Sequence, residues 1–140
     1  MLELLAPAGN LDAVIAAVQN GADAVYMGFG DGFNARRSAD NFTRESFAKA
    51  VRYCHIRGCK VYVTLNTLVG DREMEAAAAL AQQASDAGAD AILVQDLGLA
   101  RVLRAALPDI PLHASTQMSI HNLAGVEAAA EMGMTRAVLA

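Results

Sequence analysis

The chain has 140 residues, enough for one ordinary domain, and no apolar run that is long enough to span a membrane. Its formal net charge is −4, and its first residues lack the basic and apolar segments of a signal peptide. Cys54 and Cys59, the two cysteines, lie in apolar surroundings. This favours reduced thiols in a cytoplasmic protein over a disulfide or a metal site.

Short apolar strands alternate with helical segments along the whole chain. Strands are predicted at 2–5, 24–27, 60–65, 91–94, 112–114 and 137–139. Helices are predicted at 11–19, 43–57, 71–87, 97–106 and 122–131. Four of the helices are followed by a glycine of the kind that closes a helix in the left-handed conformation: Gly21, Gly58, Gly88 and Gly133. This order of elements predicts a parallel α/β protein.

The number of strands restricts the architecture. A parallel (β/α)8 barrel of the TIM type has eight strand–helix pairs and takes about 250 residues. We therefore expect residues 1–140 to form the N-terminal part of one such barrel, truncated after about six strands and five helices. The alternative is a complete doubly wound domain. The two differ in strand order, which is sequential in the barrel and changes direction in the doubly wound sheet.

Basic residues are concentrated in one part of the chain. Seven of the eleven lie between residues 36 and 60, which carry about +5, whereas the remainder carries about −9. This basic region could receive a phosphate, a carboxylate substrate or RNA. A solvated helix face with a few paired charges is the alternative, and it is favoured because local charge excess is common on ordinary surfaces.

Six sequence blocks carry a family resemblance. They read LLAPAGN at 4–10, GADAVY at 21–26, FNAR at 33–36, VYVTLNTL at 61–68, VQDLG at 94–98 and HASTQM at 113–118. In this order and spacing the chain resembles the collagenase-like peptidase family of unassigned catalytic type, peptidase family U32. The resemblance covers essentially the whole chain and implies a barrel domain that continues beyond residue 140.

The resemblance implies two activities. Some members of the family are named as proteases that act on collagen-like substrates, so a peptide substrate and peptide-bond hydrolysis are expected. Others take part in oxygen-independent hydroxylation of transfer RNA, ribosomal RNA or ubiquinone, and they hold an iron–sulfur cluster through cysteines downstream of this segment. The resemblance therefore implies no cofactor within these 140 residues and an iron–sulfur cluster in the full-length protein. A fragment without chemistry of its own is the third interpretation.

Polar side chains follow several of the predicted strands. The carboxyl ends of barrel strands meet at one face, where the catalytic sites of such proteins lie. Ser115, Asp96 and Asn10 could instead cap the helices that follow them. The residues that we expect to bind substrate are Arg36, Asn66, Gln95, His113, Ser115 and Gln117.

No catalytic residue can be assigned from this segment. His113 and Ser115 lie two residues apart on one strand face, about 7 Å from each other, which is too far for a base and nucleophile to share a hydrogen bond. His113, His121 and Asp96 lack the spacing of a metal site.

The predicted sheet has open edges. A six-stranded part of a barrel leaves two strand edges and an apolar inner face, so we expect this chain to associate with a second copy.

We expect Arg36 to grip an anionic or carbonyl-bearing group together with Asn66 and Gln95, since a guanidinium group offers a rigid fork of donors. Arg36→Ala in the full-length protein should lower activity and leave the melting temperature nearly unchanged. A collapse of the melting temperature would instead identify Arg36 as a structural residue.

Overall fold

The computed structural model describes residues 2–35 and 41–140, in which strands and helices alternate. The strands are β1 Leu5–Pro7, β2 Ala24–Gly28, β3 Lys60–Leu65, β4 Ala91–Val94, β5 Leu112–Ala114 and β6 Arg136–Ala137. The helices are α1 Leu11–Gln19, α2 Arg44–His55, α3 Met74–Asp86, α4 Leu97–Ala106 and α5 Leu123–Glu131. A short 3-10 helix, Thr116–Met118, follows β5. Within the described ranges, no helix is both long and apolar enough to cross a membrane.

The strands form one parallel sheet in the order β1-β2-β3-β4-β5-β6. Each strand pairs with its successor in the chain, as in the register of Val25 with Val61 and of Val63 with Ile92. The predicted parallel and sequential arrangement is therefore confirmed. A doubly wound sheet is excluded, because its strand order would change direction partway across.

The helices pack on one face of the sheet. Alternate side chains of a strand point to opposite faces, and one set joins all five helices in a single apolar core. Phe47 of α2, Leu103 of α4 and Ile92 of β4 are fully buried there. We call the opposite side, which the helices leave uncovered, the inner face. It carries a smaller apolar cluster of Ala24, Tyr62, Ala91 and Leu93, with Leu5 and Tyr26 against it.

An ion pair between the two outermost strands shows how strongly the sheet is curled. Glu3, just before β1, accepts a hydrogen bond from Arg136 of β6 at 2.5 Å. In a flat sheet these strands would be five spacings apart, about 24 Å. The two side chains could not bridge that distance. The sheet therefore curls into a half-barrel with its inner face concave.

The observed element boundaries differ from the predicted ones by up to three residues. β1 begins at Leu5 and includes Pro7, whereas the prediction ended the strand before the proline. Proline is tolerated here because β1 is an edge strand, where a missing N–H breaks no ladder bond on the open side. α3 begins at Met74 without a side-chain cap. The four glycines predicted to close helices all have positive φ, between 72° and 100°.

The Glu3–Arg136 pair should stabilise the curled sheet. A double-mutant cycle with Glu3→Gln and Arg136→Met, measured by urea unfolding, should give a coupling free energy of about 1 kcal/mol, since both side chains are partly shielded. The exposed pair Glu45–Lys49 on α2 is the control, and about 0.4 kcal/mol is expected for such helical pairs. Equal coupling energies for the two pairs would mean that the edge-to-edge contact adds no particular stability.

Candidate functional site

The structure places a cavity of about 230 Å³ at the carboxyl edge of the sheet, the edge at which the strands end. Its wall is apolar and aromatic where the inner face contributes, and polar where the strand ends contribute. The lining residues are Leu5, Tyr26, Ala35, Thr64, Asn66, Leu93, Ser115, Thr116, Gln117 and Val138. Three of the predicted substrate-binding residues, Asn66, Ser115 and Gln117, are therefore brought together.

Asn66 forms hydrogen bonds to two different loops at this cavity. Its Oδ1 accepts a hydrogen bond from the backbone N–H of Ala35 at 3.0 Å. Its Nδ2 donates to Ser115 Oγ at 3.2 Å. Ala35 belongs to the loop after β2 and Ser115 follows β5, so one amide joins the ends of three strands. Asn66 thus shapes the rim, and since an amide nitrogen carries two hydrogens, one remains for a ligand.

Ser115 is buried, with 3% of its surface exposed, and caps the 3-10 helix. Its Oγ accepts hydrogen bonds from the backbone N–H of Gln117 and from Asn66. The capping interpretation is confirmed for Ser115, and also for Asn10 and Asp96, which cap α1 and α4. Among the described residues no imidazole hydrogen-bonds to Ser115, so its hydroxyl lacks the adjacent base that a serine nucleophile requires.

The two predicted glutamines have different positions. Gln117 is exposed at the cavity, and its side chain forms no hydrogen bond within the described ranges, so its amide is available to a ligand. Gln95 is half-buried and does not line this cavity. The chain leaves β4 at Val94 and enters α4 through its cap Asp96, and Gln95 lies between the two.

His113 lies in a second cavity, of about 400 Å³, near the amino edge, where the strands begin. His113 and Ser115 share the inner face, as the alternation predicts, but they open onto different cavities. The imidazole of His113 packs edge-on against the ring of Tyr62, with 4.9 Å between the ring centres. The small side chain of Ala91 on the intervening strand β4 leaves room for this contact.

The surroundings of His113 keep its imidazole neutral. Burial, followed by the positive charge of Arg136 and a smaller effect from Lys60, lowers its pKa to about 4. Glu3 opposes these effects but does not cancel them. The hydrogen bond from Arg136 in turn lowers the pKa of Glu3, so this carboxylate stays ionised beside the cavity.

The loop after β2 is closed at its base. Asn34 donates a hydrogen bond to Asn41 at 3.1 Å, and backbone hydrogen bonds join Phe42 to Gly28 and Gly30. A Cβ atom on Gly28 would lie 2.1 Å from the Asn41 oxygen, so a glycine is required beneath this contact. Arg36, the sixth predicted residue, lies outside the described residues.

The cysteines do not fit an iron–sulfur site. Cys54 of α2 and Cys59 before β3 are free thiols buried in the core between helices and sheet. Burial raises the pKa of Cys54 to about 12 and also raises that of Cys59, whereas a metal ligand must be a thiolate. No group of three or more potential ligands of the Cys, His or carboxylate type gathers anywhere in 2–35 or 41–140.

The prediction missed several inner-face residues because, apart from His113, it considered only the residues that follow the strands. The period-two alternation in β3 already places Lys60, Tyr62 and Thr64 on the same face as Asn66. Applied to every strand, that rule would also have identified Tyr26 and Arg136 as neighbours of the two cavities.

The neutral His113 should make stability pH-dependent. The unfolded chain protonates it near pH 6.5 and the folded chain only near pH 4, so stability falls as the pH drops between these values. From pH 7 to pH 5 the free energy of unfolding should decrease by about 2 kcal/mol. Urea unfolding of His113→Phe should lack this loss, whereas the exposed His121→Gln should retain it. An unchanged pH dependence in His113→Phe would contradict the assignment.

The chain is similar in sequence to a known protein family and to proteins named for RNA modification. The model of peptidase family U32 matches residues 9–140. The 23S rRNA 5-hydroxycytidine C2501 synthase of Escherichia coli (strain K12) is 42% identical over 99% of this chain and 20% of its own length. The tRNA hydroxylation protein P1 of Bacillus subtilis (strain 168) is 39% identical over 99% of this chain and 32% of its own. The chain thus spans a fifth to a third of these relatives.

Other similar proteins are named as peptidases. The collagenase of Porphyromonas gingivalis (strain ATCC BAA-308 / W83) is 36% identical over 86% of this chain and 28% of its own length. The solved structure of the U32 peptidase Mk0906 has the same fold, with a TM-score of 0.79 at 16% identity, over 99% of this chain and 58% of that one. The relatives carry both names that the sequence resemblance implied, and the chain belongs to peptidase family U32.

Proposed function

We propose that this chain is the N-terminal part of an RNA-hydroxylating enzyme, in which it supplies one wall of the substrate site. On this proposal the barrel begins within these residues and is completed by the longer protein. RNA is the substrate, and it would place the protein in the cytoplasm. The names of the relatives that are 42% and 39% identical, which refer to ribosomal and transfer RNA, support the choice of RNA.

The lining of the carboxyl-edge cavity is the observation that carries the proposal. Proteins recognise single-stranded RNA by stacking bases on aromatic rings and by hydrogen bonds to base edges. The cavity offers the ring of Tyr26, the free amide of Gln117 and the remaining N–H of Asn66. These groups suit one extruded base, and the apolar side chains of Leu5 and Leu93 would exclude water around it.

Peptide-bond hydrolysis is the second candidate, favoured by the names of the collagenase and of Mk0906. The described residues do not provide the activated nucleophile that peptide-bond hydrolysis requires. Ser115 Oγ is engaged by Asn66 and by the backbone N–H of Gln117. His113 opens onto the other cavity, and burial raises the pKa of both cysteines. We therefore rank hydrolysis below hydroxylation for this part of the protein.

Two further features belong to the proposal. An iron–sulfur cluster, if the full-length protein uses one, would be held by residues outside this chain, because Cys54 and Cys59 are buried and protonated. Self-association through the open strand edges, β1 and β6, is also proposed and can be measured by light scattering.

The substrate can be identified in cells. The full-length gene is deleted, and nucleosides from ribosomal and transfer RNA are analysed by mass spectrometry for the loss of a nucleoside carrying one added oxygen. Reintroducing the wild-type gene should restore that nucleoside. An unchanged nucleoside profile, together with gelatin digestion by the purified full-length protein, would replace RNA hydroxylation by peptide hydrolysis.

The carboxyl-edge cavity can be tested in the same strain. Gln117→Ala should lower the rate of modification about tenfold, the effect of losing about 1.4 kcal/mol of hydrogen bonding to substrate. Gln83→Ala is the matched control, since Gln83 is also an exposed glutamine but lies on α3, away from the cavity. Equal activity of the two variants would exclude a substrate contact by Gln117.

A further inference from the structure

The amino-edge cavity is a separate feature from the proposed RNA site, and it has no part in the chemistry discussed so far. It has a volume of about 400 Å³, within the range of small-molecule sites. Its lining combines cationic, aromatic and hydroxyl side chains. The lining residues are Lys60, Tyr62, Asp90, Pro111, His113, Thr135 and Arg136.

His113 is a buried polar group without a polar partner. Only 6% of its surface is exposed, and its ring nitrogens form no hydrogen bond with any residue in 2–35 or 41–140. The ring nitrogens are nevertheless not among the fully buried, unpartnered polar atoms of the described residues, so they keep some access to the cavity. Because His113 lines the cavity, a ligand there could accept a hydrogen bond from its N–H.

The unused hydrogen-bonding capacity of this cavity consists mainly of donors. Arg136 donates to Glu3, and a guanidinium group has four further N–H groups. Lys60 lies 3.8 Å from the same carboxylate and is 59% exposed. Asp90 also lines the cavity. Its Oδ2 accepts from the backbone N–H of Val61 and contacts His55, whereas its Oδ1 has no hydrogen bond within the described residues.

The charges around the cavity are mixed, since the carboxylates of Asp90, which lines it, and of Glu3, which lies beside it, accompany the cations Lys60 and Arg136. At His113 the two cations, Arg136 and Lys60, act against the single carboxylate of Glu3, and the effect of Arg136 exceeds that of Glu3. The carboxylate of Glu3 shows the kind of group that these cations hold, because Arg136, Tyr62 and Lys60 all converge on it.

We propose that this cavity binds a small oxyanion, a carboxylate or a phosphate, between Lys60, Arg136 and the N–H of His113. The ligand would lie beside Glu3 and share the two cations with it. This site is at the opposite end of the strands from the proposed RNA site, so it does not depend on the proposed function. Its volume suits a small molecule, and Tyr62 supplies an aromatic wall for an organic ligand.

The test is a titration followed by nuclear magnetic resonance of the histidine ring protons. Acetate and inorganic phosphate are added separately to the purified protein at constant ionic strength and neutral pH. At least one anion should shift the His113 resonance saturably and leave that of His121 in place. A response to acetate alone identifies a carboxylate site, and a response to phosphate alone identifies a phosphate site.

Variants of one lysine decide whether the response is specific. Lys60→Gln should weaken binding at least about tenfold, which corresponds to about 1.4 kcal/mol for a lost charge-assisted contact. Lys60→Arg should retain binding. Lys49→Gln is the matched control, because Lys49 is 62% exposed and also paired with a glutamate.

Two outcomes would overturn the proposal. The first is the absence of any saturable shift of His113 with either anion in the wild-type protein, a result that does not depend on the folding of a variant. The second is equal binding by wild-type, Lys60→Gln and Lys49→Gln proteins, which would indicate screening by salt without a site.

Discussion

The contact between Glu3 and Arg136 links the two ends of the curled sheet at its amino edge, although β1 and β6 do not pair. Six parallel strands with helices on one face would otherwise be an open surface with an exposed side. The ion pair brings the first and last strands within reach of one another. The curl gives the inner face its concave form and lets Tyr62 touch His113 across an intervening strand. Both cavities depend on that curvature, because each is lined by residues from non-adjacent strands.

The two ends of the concave inner face carry different kinds of side chain. At the carboxyl edge the groups are amides and hydroxyls, and two of them, Asn66 and Ser115, also hold the loops in place. At the amino edge the groups are charged, with Lys60 and Arg136 around Glu3. Leu93 and the aromatic rings of Tyr26 and Tyr62 belong to the inner-face cluster between these groups.

The fold was largely predictable from the sequence, because it depends on local patterns. Apolar strands, helix caps and closing glycines recur in a fixed order, and sequential parallel pairing follows from them. The curl was expected only from the strand count. The Glu3–Arg136 contact joins residues 133 positions apart, and no local pattern indicates it.

The candidate site was predicted less completely. Asn66, Ser115 and Gln117 meet as expected because each follows a strand. Gln95, between the end of β4 and the cap of α4, does not line the cavity. His113 was grouped with residues of the carboxyl edge, but position along the strand as well as face decides which cavity a side chain enters.

The closed base of the loop after β2 has a consequence for the evolution of the family. Hydrogen bonds between Asn34 and Asn41, and between Phe42 and both Gly28 at the end of β2 and Gly30 after it, join the two ends of the loop. Segments exchanged or lengthened between those anchor points would leave the registers of β2 and β3 unchanged. Sequence changes between those anchor points are thus compatible with one scaffold, in a family whose relatives are named for RNA hydroxylation and as a collagenase.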